Sequence, residues 1–356
     1  MPWRSRRKFL MASSAVAATA ALNGVAPEAV RAGPFFSEPH INFPVEPRDR
    51  LAVASWPFRA IIESPSNRWA RDPKQPGIDL KDFAAMVVQK FNVRQIEPLS
   101  DHFRSTEAAY LGEFRAAVEQ AGARVINIPV GGRYSFYDPD AAKRQMAVDY
   151  GKKWMEVAVA LGSPSIRIHV AGAANAKPDV DRTAQSLTRL ADYGAEKNVV
   201  INLENDDLVS EDAFFLVRVI DKANHPWLHA LPDFCNSMLS GNEQFNYDAV
   251  TALFKRAYNI CHVKDSEVDN GKVVRVDLAK TFGILKASGY RGYCSMEFEG
   301  QGSPYEGTQR LIDASLKYLA QSLQSRARDS SYGGGAPMAD VEYDDTQEGV
   351  DARRAR

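Results

Sequence analysis

Ile201-Asn202-Leu203-Glu204-Asn205, Ala230-Leu231-Pro232-Asp233-Phe234, Ile260-Cys261-His262-Val263-Lys264-Asp265 and Ser295-Met296-Glu297-Phe298-Glu299 share one pattern. Each is a short, largely apolar run that reaches a side chain able to donate an electron pair. The four donors Glu204, Asp233, His262 and Glu297 stand 29, 29 and 35 residues apart. A strand with its following helix takes about 30 residues, so the pattern recurs once per unit. Side chains alternate between the two faces of a strand. Asn202 and Glu204 therefore share a face, as do Ser295, Glu297 and Glu299, while Ile201, Leu203, Met296 and Phe298 take the opposite one. Four neighbouring parallel strands would thus deliver one donor each, at one height, to one side of a sheet.

Upstream the same rhythm continues. Leu51–Trp56, Val93–Glu97, Arg124–Pro129, Ser165–Val170, Val199–Glu204, Trp227–Asp233, Asn259–Lys264 and Gly292–Phe298 read as eight strands, most bounded by Gly, Pro, Asn or Asp. Between them Asp79–Phe91, Thr106–Ala121, Ala141–Leu161, Asp181–Lys197, Ser210–Ala223, Tyr247–Arg256, Leu278–Ser288 and Glu306–Ser322 carry apolar residues at helical spacing. Asp79, Ser210 and Asp277 read as caps. Strict alternation predicts parallel strands with right-handed crossovers, an α/β chain closed into a single-domain (β/α)8 TIM barrel over residues 48–324. No Gly-rich phosphate turn follows the first strand, which argues against an open doubly wound sheet. Active sites of such barrels gather at the strand C-termini.

The ends read differently. Residues 1–32 hold the twin-arginine run Ser5-Arg6-Arg7-Lys8-Phe9-Leu10, a weakly apolar stretch and a small-residue cleavage pattern at Val30-Arg31-Ala32. This predicts export by the twin-arginine route to the periplasm or beyond, with no stable membrane span. Residues 33–47 form an extension, and 325–356 a polar, Gly-rich, then charged tail expected to be disordered. With 45% hydrophobic and 25% charged residues and a net charge of −1, the chain has material for a core and no general attraction to nucleic acid. Its three cysteines preclude a fully paired disulfide framework. By strand parity Cys261 and Cys294 point away from the donors.

Three carboxylates and an imidazole on one spot repel one another unless a cation joins them. The expected cofactor is one divalent metal ion, and the donor set suits Mn2+, Mg2+, Co2+ or Zn2+ alike. Further candidates at the mouth are Glu97 at the end of the second strand, Arg167 and His169 on one face of the fourth, Lys264 on the face of His262, Asn236, and Trp56, whose ring can stack on a sugar. A surface ion pair with Asp265 is the other role open to Lys264.

On Leu203-Glu204-Asn205, Pro232-Asp233-Phe234-Cys235-Asn236, His262-Val263-Lys264-Asp265 and Met296-Glu297-Phe298, in this order and spacing, the chain resembles the xylose isomerase-like barrel superfamily, in particular its sugar isomerase and epimerase branch. The resemblance implies that Glu204, Asp233, His262 and Glu297 bind the metal and that Glu204 and Glu297 double as the acid/base pair. It implies a small-molecule sugar or keto-glycoside as partner and leaves room for a homo-oligomer. The chain departs from that pattern at Asn236, where ketose epimerases often carry His, and at Val268, where they often carry a substrate-binding Arg. The expected activity is that of an isomerase or epimerase acting through an enediolate on an unphosphorylated sugar, cyclitol or keto-sugar. Keto-glycoside lysis or dehydration by β-elimination is the alternative at the same site. An endonuclease IV-like phosphodiesterase needs a histidine-rich three-zinc cluster, and this chain has six His in all. A non-catalytic sugar-binding barrel would not need the four donors.

Overall fold

Parallel strands alternate with helices in the computed structural model, which describes residues 36–331 apart from Ala70, Arg71, Pro73, Gln75 and Asn270. The expected export signal, its expected cleavage site and most of the tail lie outside the described residues. The strands are β1 (Leu51–Ala54), β2 (Gln95–Glu97), β3 (Arg124–Val125), β4 (Ile128–Val130), β5 (Ser165–Ile168), β6 (Val200–Glu204), β7 (Leu228–Leu231), β8 (Ile260–Val263), β9 (Ser266–Asp269), β10 (Lys272–Arg275) and β11 (Tyr293–Met296). The helices are α1 (Leu80–Phe91), α2 (Ala108–Gln120), α3 (Ala141–Leu161), α4 (Val180–Lys197), α5 (Ala213–Ala223), α6 (Glu243–Phe254), α7 (Leu278–Ala287) and α8 (Pro304–Ser331).

Two parallel sheets, in the orders β3-β2-β1-β11-β8 and β4-β5-β6-β7, make the wall. β3 and β4 belong to one stave, and β7 meets β8 through the Asp233–His262 bridge, where the His262 amide donates to Pro232 O and the Phe234 amide to His262 O. All eight expected staves are present. The third is interrupted at Ile126-Asn127. The Ile126 amide still donates to Ile96 O, but the Ser165 hydroxyl meets Ile126 O at 3.0 Å and Asn127 Oδ1 at 2.6 Å, and the Asn127 side-chain amide donates to Glu97 at 2.7 Å, so side chains take over the far side of the ladder there.

Alternation sorts the wall into two faces. Leu51, Val53, Ile96, Ile166, Ile201, Leu203, Cys261, Val263, Cys294 and Met296 point outward into the continuous core beneath the helices. Inward, Ala52, Ile126, Leu231, Ile260 and Tyr293 form a small apolar plug on which Phe43 of the N-terminal extension packs. Above it the lining turns polar, with Gln95, Ser165, Asn202 and Ser295 all buried. A one-residue slip in any strand would exchange these faces, which is why the apolar halves fix the height of the donors.

Aspartate and asparagine caps start most helices: the side chains of Asp79, Asp140, Asp179, Asp212, Asn242 and Asp277 each accept an amide of the first turn. Asp212, not Ser210, caps α5. Asp207 accepts the Val209 and Glu211 amides and the Ser210 hydroxyl, so a turn occupies the residues expected to begin the helix. α8 runs to Ser331, past the expected barrel end at 324, because no Gly or Pro stands between Gly307 and Gly333. The antiparallel β9–β10 hairpin after the seventh stave was not foreseen. Its residues are polar or half-buried and show no apolar alternation.

Candidate metal centre

The strand ends place Glu204, Asp233, His262 and Glu297 so that one ligand atom from each lies within 4.8 Å of the others. All four are buried. His262 Nδ1 is 2.7 Å from Glu204 Oε1 and 3.2 Å from Glu297 Oε2. Its Nε2 meets both Glu97 oxygens at 3.1 Å. Glu97 thus holds the outer edge of the ring while Nδ1 faces the donors, the arrangement that orients a metal-binding imidazole.

Asp233 divides its two oxygens between tasks. Oδ1 accepts the Cys235 and Asn236 amides at 2.8 and 2.7 Å and fixes the turn after β7. Oδ2 is buried and accepts no hydrogen bond among the described residues. The nearest cation to it is Lys264 Nζ, 3.9 Å away. A buried carboxylate oxygen left without a donor is expensive, and a divalent ion at this point would satisfy it. The residues therefore fit a divalent cation, by donor chemistry and by this orphaned oxygen.

Electrostatics without an ion confirm that the group is out of balance. Burial, then repulsion from Glu204 and Glu297, pushes the Asp233 carboxyl up to about 7 against the pull of Lys264. Burial would also raise Glu297, but the charges of His262 and Lys264 outweigh it and hold the carboxyl well below its ordinary range. Burial would lower His262, yet Glu204, Glu297 and Glu97 keep the ring protonated far above its ordinary range. In effect a proton on His262 does part of a cation's work.

Two side-chain cations stand beside the centre. Arg167 NH2 reaches Glu204 Oε2 at 2.6 Å, and the rest of the guanidinium is buried, its Nε and NH1 without an acceptor among the described residues. Lys264 turns inward: its ammonium donates to Asn236 Oδ1 at 2.8 Å and Glu267 Oε2 at 2.9 Å and lies 3.5 Å from Glu297 Oε2. Asp265 instead pairs with Arg310 and Arg275, so the surface pair open to Lys264 does not form.

A cavity of about 370 Å³ opens above the donors. Every further candidate from the sequence, Trp56, Glu97, Arg167, His169, Asn236 and Lys264, lines it. Trp56 is held by Glu299, which also pairs with Arg59 at 2.5 Å, and Trp69 packs edge-on to Trp56 at 5.3 Å. Trp69, Arg68, Asp206 and Glu267 belong to the same lining but were not singled out. Asp206 follows directly on Asn205, so strand-end position was a usable signal for it; Arg68 and Trp69 sit on a loop, and Glu267 on the β9 hairpin strand, which carry none.

His169 belongs to a second group. Its Nδ1 is 2.7 Å from Glu211 Oε2 and 3.4 Å from Asp206 Oδ2, and Glu211 Oε1 accepts the Val170 amide. Burial and the Arg167 charge would lower His169, but Glu211 and Asp206 raise it overall. Glu211 itself is raised by burial. Cys261 and Cys294 lie back to back on the helix side, as strand parity required, and take no part in the centre.

Residues 86–322 match the family described as xylose isomerase-like TIM barrel. No curated protein matches the chain significantly. Among solved structures, D-allulose 3-epimerase from Methylomonas sp. is similar at 15% identity and a TM-score of 0.57, covering 79% of this chain and 100% of that one. The apo 3-keto-D-glucoside 4-epimerase of E. coli is also 15% identical, with a TM-score of 0.53 over 76% and 99% of the two chains. A xylose isomerase domain protein from Planctomyces limnophilus reaches 19% identity and a TM-score of 0.54 over 82% and 100%. At these identities the likeness is one of fold.

Proposed function

The chain belongs to the xylose isomerase-like TIM barrel family, and from that premise we propose that it is a divalent-metal-dependent sugar isomerase or epimerase working through an enediolate. The observation that carries the reading is the convergence of Glu204, Asp233, His262 and Glu297 beneath a sugar-sized cavity. A bound divalent ion would polarise a substrate carbonyl and its neighbouring hydroxyl, and so acidify the intervening C–H.

The chain's own residues would do the rest. Glu204 and Glu297 are the proton-transfer pair, one removing the proton and the other returning it. Each has a cation of its own: Arg167 pairs with Glu204 at 2.6 Å, and Lys264, 3.5 Å from Glu297, helps His262 hold that carboxyl in the ionised form a base needs. Return to the opposite face of the same carbon is epimerisation; return to the neighbouring carbon is aldose–ketose isomerisation. Arg167, whose Nε and NH1 have no partner among the described residues, and the Asn236 amide, whose buried Nδ2 has none there either, are placed to bind substrate oxygens. Trp56 offers its ring at the rim.

An unphosphorylated sugar, cyclitol or keto-sugar suits this cavity. Besides Glu297, its lining carries Glu97, Asp101, Asp206, Glu267 and Glu299 against Arg68, Arg167 and Lys264. A phosphate next to the reacting carbons would meet excess negative charge. The twin-arginine pattern supports the same choice, because export leads away from cytoplasmic sugar phosphates. Elimination from a keto-glycoside remains the second reading, favoured by Asn236 and Val268 standing where simple ketose epimerases often carry His and Arg. Incubating metal-loaded protein in deuterated water with ketoses, aldoses and 3-keto-glycosides tests the proposal. Exchange of a C–H next to the carbonyl, followed by NMR, supports it; no exchange with any of the three classes would sink it.

A further inference from the structure

Beside the reaction cavity lies a second one of about 420 Å³ whose character is opposite. Its wall includes Arg68, Arg104, Arg133 and Lys153 against a single acid, Asp101, with hydroxyls from Ser66, Ser100, Ser105 and Thr106 between them. Arg104 is neutralised by Glu63 and Asp79. Arg68, Arg133 and Lys153 have no ion pair among the described residues. These three come from separate segments, namely the loop between β1 and α1, the loop after β4, and α3. The last two line the same polar space as Tyr150. Like charges gathered from distant parts of a chain repel one another unless an anion is there to collect them.

The two cavities share Arg68, Asp101 and Gly131. They are therefore neighbouring rooms with a common wall, one acid-rich over the metal donors and one base-rich beyond it. Resting on the proposed sugar chemistry of the first room, we infer that the second is a subsite for an oxyanion carried by the same saccharide, away from its reacting carbons. Uronate carboxylates and sulfate esters have the required charge and take hydrogen bonds from guanidinium and hydroxyl groups alike. Asp101 marks the boundary: it repels the anion from the reaction room and so sets the ligand's direction. Fixing the remote charge would help fix the reacting end.

The test is calorimetric titration of the full-length, metal-loaded protein with glucuronate, glucose 6-sulfate, glucose 6-phosphate and glucose. The anionic sugars should bind at least about tenfold more tightly than glucose, the scale of one charge-assisted hydrogen bond. The paired substitution Arg133→Ala and Lys153→Ala, at exposed positions outside the metal centre, should erase that preference and leave metal content unchanged. Strongest binding of the 6-phosphate would uphold the subsite while overturning the unphosphorylated part of the proposed function. Inorganic sulfate titrated into chelator-treated, metal-free protein separates the two proposals, since the cations need no metal to bind it. Sulfate binding that the paired substitution abolishes supports the subsite whatever the chemistry next door. Equal affinity for glucose and its anionic forms, unaffected by the pair, overturns it even if the metal centre is catalytic.

Discussion

Loading the metal-free protein with a divalent ion at pH 6, 7 and 8 should displace protons in a number set by the site. Without an ion, His262 is protonated at neutral pH, because Glu204 at 2.7 Å, Glu97 at 3.1 Å and Glu297 at 3.2 Å outweigh the cost of burying its charge. Asp233, pushed up to about 7, is mostly protonated at pH 6 and mostly ionised at pH 8. A ligand must present a free lone pair, so an incoming ion has to expel both protons. More protons should leave at pH 6 than at pH 8, so affinity should rise with pH and more steeply near 6 than near 8. Isothermal titration in paired buffers of different ionisation enthalpy counts the protons directly. The sign for stability runs the other way. Both folded-state pKa values are raised, so their contribution to the ion-free fold is present at low pH and is lost as pH climbs, for Asp233 through about 7. Affinity that is flat from pH 6 to 8, with no buffer-dependent heat, would refute this account of the site.

The remaining predictions concern single groups. Glu297→Gln and Glu204→Gln should each lower substrate proton exchange by about 10²–10⁴-fold, as expected for a lost acid or base, and NMR exchange rates normalised to bound metal will check this. Glu97→Gln should weaken metal binding by about 10–100-fold by freeing the outer edge of the His262 ring, measured by competition with a chromophoric chelator. Lys264→Met leaves Asp233, Glu267 and Glu297 without their buried cation and should cost roughly 3–5 kcal/mol of stability in the metal-free protein, read from urea unfolding. The loss should shrink once a metal ion is added.

What could be read from the chain followed from period and position. Eight runs of β-formers and eight helical periods gave the barrel, because the outward face of each strand must be apolar while the inward face of the last four ends in polar groups. The heights of Glu204, Asp233, His262 and Glu297 followed from counting one donor per unit. Features built from loops escaped that logic. The β9–β10 hairpin carries Glu267 over the mouth without an apolar pattern to announce it, and Trp69, Arg68 and Glu211 reach their sites through turns whose course no periodicity dictates. The break at Ile126-Asn127 depends on Ser165 and Glu97, far away in sequence. Glu97 itself was visible as a polar strand end, but its grip on His262 needs the closed barrel, which brings the second stave across from the seventh.

The most direct test of the metal centre is X-ray diffraction from metal-loaded crystals, with anomalous scattering recorded at the absorption edge of the added ion. The account predicts one strong peak per chain, bonded by Glu204, Asp233, His262 Nδ1 and Glu297 at about 2–2.6 Å. A chain that binds its ion only at the His169, Asp206 and Glu211 group, or binds none while these four side chains keep the arrangement described, would contradict it.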